Sequence, residues 1–97
     1  MNPTICTAIR QHAVLHFGYD GGPRTVEPHA HGTSTAGHEV LRAYQTKGFS
    51  RSGAPTGWRL FDVGKMREIR IGEDHFASPR PQYNPHDRAM TDVHCHV

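Results

Sequence analysis

Val14-Leu15-His16-Phe17-Gly18-Tyr19-Asp20-Gly21-Gly22-Pro23-Arg24-Thr25-Val26-Glu27-Pro28-His29-Ala30-His31 is the stretch whose reading decides the fold. Leu15, Phe17 and Tyr19 alternate with His16 and Gly18, the two-residue period of a strand with one buried face. Asp20-Gly21-Gly22-Pro23 follows as turn chemistry, its glycines free to take positive φ. Arg24 to His31 then reads as a second strand. Val26, Pro28 and Ala30 share one of its faces, and Thr25, Glu27, His29 and His31 share the other. Pro28 has no N–H for a ladder, so it predicts an edge or a bend.

On the N-terminal side, Asn2 is a good N-cap and Pro3 suits the first helical position. Ile5, Ala8 and Ile9 form one apolar stripe, so a helix is expected over 3–12. So short a helix must dock on something to persist. On the C-terminal side, Thr33 to Gly37 reads as a turn and Glu39 to Thr46 as a third strand. Lys47 to Gly57 is a polar loop, and Trp58 to Val63 is a fourth strand. Gly64 to Met66 is a tight connection leading to a fifth strand, Arg67 to Gly72, with Ile69 and Ile71 on one face. Beyond Ser78, Pro79, Pro81 and Pro85 forbid regular structure. An extended tail over 77–97 is therefore expected to wrap the surface, with Val93 to Val97 as a candidate last edge strand. The fold class is mainly β: an N-terminal helix followed by a small five-stranded barrel over 1–76.

Composition agrees. Leu, Ile, Val and Phe supply only 17 of 97 residues, a thin core, but a net charge of +2 is too small for a disordered chain. No apolar run is long enough to span a membrane, and residues 1–15 lack the apolar centre of a secretory signal. Nine of the eleven basic residues are Arg, whose planar fork suits phosphates and bases. Nine His would take the formal charge from +2 to +11 if all were protonated, so anion binding should strengthen as pH falls below about 6.5. Cys6 and Cys95 make no Cys-x-x-Cys pair and indicate no disulfide scaffold, a reducing cytoplasm is expected from the missing signal, and a bridge between them stays open.

Several segments taken together resemble a known family. Ala8-Ile9-Arg10, Leu15-His16-Phe17-Gly18-Tyr19 and Arg24-Thr25-Val26-Glu27-Pro28-His29 are followed in order by Leu41-Arg42-Ala43-Tyr44, Trp58-Arg59-Leu60-Phe61-Asp62 and Phe76. Across residues 5–80 this succession resembles the WYL domain. The name-giving Trp-Tyr-Leu stretch stands here as Glu39-Val40-Leu41, and the chain resembles a standalone form without the helix-turn-helix of the larger regulators. The resemblance implies an Sm-like β-barrel preceded by a helix. It also implies a ligand-sensing module whose surface binds nucleic acid, often single-stranded, or nucleotides, in transcription regulation and phage defence. Tyr19, Arg24, His29, Tyr44 and Arg59 match family positions that line or support that surface. Arg42 and Arg51 join them on charge and location alone.

The chemistry of these residues supports the same expectation. Arg24, Arg42 and Arg59 lie on three strands that a rolled sheet would bring onto one surface, with Tyr19 and Tyr44 as stacking platforms. The plainer reading makes the tyrosines core residues and the arginines a solvated face. A rival site is zinc held by His29, His31, His94 and His96, should the two His-x-His segments meet. No phosphate loop, His-Glu-x-x-His or nucleophile elbow is present, so no enzyme and no cofactor is expected. The alternative to a nucleic-acid module is a protein-interaction module, a homo-oligomer or a regulatory partner's docking site, built on open strand edges.

Overall fold

In the computed structural model, which describes residues 1–51 and 53–97, one helix packs on a single antiparallel sheet. Ser52, inside the expected loop, lies outside the described residues. Helix α1 spans Pro3–Gln11 and strands follow as β1 Ala13–Tyr19, β2 Gly22–Ser34, β3 Glu39–Gly48, β4 Gly57–Asp62, β5 Arg67–His75 and β6 Met90–His96. A single 3-10 turn, Val63–Lys65, joins β4 to β5. The order across the sheet is β4-β3-β2-β1-β5, and β6 continues the edge of β2 beyond the end of β1. The class is mainly β, as the strand and turn pattern predicts, but the expected five-stranded barrel is not formed: the sheet has six strands and does not close. No helix among the described residues is long and apolar enough to cross a membrane.

Local chemistry explains the elements. The Asn2 side-chain oxygen accepts from Ile5 N–H at 3.1 Å, and α1 ends on His12 in the left-handed region at φ 53°. Asp20 and Gly21 both take positive φ between the paired Tyr19 and Gly22. That is a two-residue hairpin turn whose twist matches the strands. Leu15, Phe17, Val26, Leu41, Ala43 and Phe61 face inward against Ile5, Ala8 and Ile9 of α1 in one cluster. Each fully buried Ile, Leu or Phe contributes about 1.5–3 kcal/mol, so this face holds the small domain together.

Between β2 and β3, two register shifts depart from simple alternation. β3 carries an extra residue near Thr46, where the pairing passes from Val26↔Gln45 to Thr25↔Lys47. β2 carries one between Pro28 and Ala30. Pro28 therefore marks a bend in the central strand and not an edge. It also falls between the end of the β1 ladder and the start of the β6 ladder, where a missing N–H is tolerated.

The segment expected as a tail is partly structural. Residues 77–89 wrap the outer face, and β6 then pairs with β2 from Ala30↔His96 to Ser34↔Met90. Cys95 of β6 is disulfide-bonded to Cys6 of α1, with Cα atoms 5.7 Å apart. The bridge that cysteine spacing left open is made.

Candidate functional site

The bulge at Pro28–Ala30 decides the fate of the histidines. His29 points outward into Trp58 and Phe76, with ring centroids 4.7 and 5.3 Å away. His31 pairs with Leu41 on the inner side and meets His94 at 5.3 Å. The four histidines of the zinc reading therefore do not assemble. Among the described residues no group of three or more His, Cys, Asp or Glu is arranged to hold a metal ion. Both buried rings are fixed as neutral tautomers. His29 Nδ1 donates to the Glu27 carbonyl at 2.7 Å and its Nε2 accepts from Arg80 N–H at 3.1 Å. His31 Nδ1 donates to the Val40 carbonyl at 2.8 Å and its Nε2 accepts from Asn2 N–H at 3.0 Å. Burial is the main cause that lowers both pKa values.

The expected gathering of three arginines does not occur. Arg24 is buried beneath the rings of Tyr19, Phe49 and Phe61, and its Nη1 donates to Gln45 Oε1 at 3.1 Å. Desolvation lowers its pKa, with neighbouring Arg59 adding to the effect and Asp20 opposing it. Arg59 pairs with Ala43 on the inner side, and its guanidinium donates to the Trp58 and Ala54 carbonyls and to Ser50 Oγ. Both arginines close the open end of the core against the loop after β3. Arg42 lies on the opposite face, where its Nε donates to Asp87 at 2.6 Å. Tyr19 packs on Phe17 and Phe61, and its hydroxyl accepts from Asp62 N–H at 3.0 Å. Tyr44 lies under the Arg80 guanidinium, and Arg51 is exposed on the loop. Burial and internal partners thus claim Tyr19, Arg24, His29, Arg42, Tyr44 and Arg59.

No protein-family model, curated protein or solved structure matches the chain. Function must be read from the geometry.

The open chemistry lies elsewhere. Cross-strand partners share a face, and the register aligns Lys47 with Thr25, Thr25 with His16, and His16 with Arg70. With strands about 4.8 Å apart, this outward row spans roughly 15 Å. His16 Nδ1 and Thr25 Oγ1 are hydrogen-bonded at 3.0 Å in its centre. Beside it a groove of about 760 Å³ runs from the β1–β2 turn to the start of β5, lined by Lys65, Arg67 and Arg70 together with the carboxylates Asp20 and Glu68. Lys65, Arg67, Arg70 and Lys47 are exposed and carry no ion pair among the described residues. Gly18, Gly21, Gly22 and Gly64 leave the lining low. Phe49, 40% exposed, packs on Gly22, which lines the groove, and its ring lies 5.4 Å from the Arg24 guanidinium. Strand alternation alone turns His16 and Gly18 outward. The row itself depends on the β3 bulge and the β1–β5 register, which no local pattern encodes.

Proposed function

We propose that the chain is a non-catalytic, WYL-like binding module for a phosphate-bearing ligand, a single-stranded nucleic acid or a nucleotide. The observation that carries this reading is the row Lys47–Thr25–His16–Arg70 beside Lys65 and Arg67, which carry no ion pair among the described residues. Such cations around a low, glycine-lined groove attract phosphates at little desolvation cost. Phe49 supplies an exposed ring for a base, replacing the tyrosines that the core takes. A helix followed by five successive antiparallel strands supports the resemblance to the family. The disulfide favours an oxidising compartment over the reducing cytoplasm expected from the sequence.

The test is fluorescence anisotropy of labelled single-stranded DNA and RNA at low and moderate salt. Affinity should fall with salt, and Lys47→Gln and Arg70→Gln should each lower the log–log slope by about one. Phe49→Ala should weaken binding by about 1–3 kcal/mol without changing that slope. Binding indifferent to salt, or no binding, removes the proposal.

A further inference from the structure

Residues 78–83, Ser-Pro-Arg-Pro-Gln-Tyr, lie across the outer face of β2, β3 and β4 as a bound peptide would. The Arg80 guanidinium forks onto Glu27, Nε to Oε1 at 2.7 Å and Nη2 to Oε2 at 3.0 Å. It also sits 4.6 Å from the centre of the Tyr44 ring. The Arg80 amide donates to His29 Nε2 at 3.1 Å, and Trp58 Nε1 donates to the Pro81 carbonyl at 3.0 Å. A buried carboxylate and an aromatic face read the arginine, while two hydrogen bonds read the backbone. Flanking prolines hold such a segment extended before it binds, so little order is lost on docking. Pro79 and Pro81 are exposed and Arg80 is only half-buried, while the Tyr83 ring packs on His29 and Trp58 at 5.3 and 6.2 Å, so the segment seats on the sheet through Arg80 and Tyr83. The floor belongs to the sheet: Glu27, His29, Tyr44 and Trp58 are set by the β2–β3–β4 register.

We propose that this face is a recognition groove for a proline-flanked arginine segment of a partner protein, held closed by the chain's own Pro79-Arg80-Pro81. A second copy is the poorer occupant. Its segment already makes the same contacts in its own groove, so exchange gains no interaction and costs association entropy. A partner segment with no groove of its own gains all four contacts. The resident segment competes at the high effective concentration of a tethered ligand, so the wild-type chain binds in trans only weakly.

The probe is a fluorescein-labelled Ser-Pro-Arg-Pro-Gln-Tyr peptide, with the emission of Trp58, the single tryptophan, as a second readout. Arg80→Ala empties the carboxylate seat and should bind the peptide at least about tenfold tighter than wild type. Adding Glu27→Gln to that variant should abolish the gain, and a peptide with Lys for Arg should bind about tenfold more weakly, since only the planar fork matches the carboxylate. Equal affinity for Arg80→Ala and wild type, or for peptides with Arg and Ala, overturns the proposal. Hydrogen exchange on the wild-type chain needs no variant: saturating peptide should speed exchange of the Arg80 amide, and unchanged exchange also overturns it. A concentration-dependent wild-type dimer that exposes the same amide would assign the groove to a second copy and overturn the partner reading.

Discussion

Gln45 illustrates how a polar residue can serve as core. Fully buried, its side-chain oxygen accepts from Arg24, and its nitrogen donates to the Phe49 and Pro55 carbonyls at 2.9 and 3.1 Å. Removing it leaves the buried Arg24 guanidinium only the Tyr19 carbonyl at 3.4 Å, since Arg24 Nε has no hydrogen-bond partner among the described residues. Gln45→Ala is expected to cost about 2–4 kcal/mol, read as a lower urea midpoint at unchanged slope. A cost below about 0.5 kcal/mol would show that the loop closes without it. The two buried imidazoles predict a pH response. Their folded pKa values lie below the ordinary 6.5, so the neutral form stabilises the fold. That stability is complete above 6.5 and is lost as pH falls below it toward the folded values. Melting temperature should drop as pH falls below about 6.5, and His29→Gln should flatten the drop. Glu39 acts in a lower window. Thr33, the Met1 amine and His94 hold its pKa at about 2, so its contribution fades below 4.5. At this scale the sequence placed Arg24 and His29 on a strand and offered them as binding residues. Whether such a residue meets solvent or the core depends on partners twenty or more positions away, which local pattern does not carry.

Strands and helix were legible where period and caps agreed. The Asn2 cap, the apolar stripe of α1, the Leu15-Phe17-Tyr19 alternation and the Asp20-Gly21 turn each encode geometry within a few residues. The bulges and β6 were not. A bulge is an extra residue relative to a distant partner strand, invisible without that partner. β6 buries only Met90 and Cys95, too few apolar positions to show a period. Its place is set by β2, where Gly32 lies opposite Val93. A Cβ there would collide with the Asp92 carbonyl oxygen and lie 3.0 Å from Val93 Cα. Gly32→Ala should therefore lift β6 and cost about 1–3 kcal/mol. Hydrogen exchange would rise across Met90–His96 while the β1–β2 hairpin stays protected; uniform loss of protection would mean that β6 does not behave as a separable element.

The whole molecule is held by a thin core and one covalent link. A disulfide spanning 89 residues of sequence separation limits the unfolded chain strongly. Reduction, or Cys6→Ser with Cys95→Ser, should remove about 2–5 kcal/mol, seen as a lower melting temperature. No change would mean that α1 and β6 dock fully without it. The same link has a consequence for proteolysis. One cut between β3 and β4, at the exposed Arg51 or Gly53 to Thr56, severs the backbone, yet both fragments stay joined through the sulfurs of α1 and β6. A nicked molecule should run as a single band without thiol and as two with it, so enzymatic trimming of that loop would not by itself release either half.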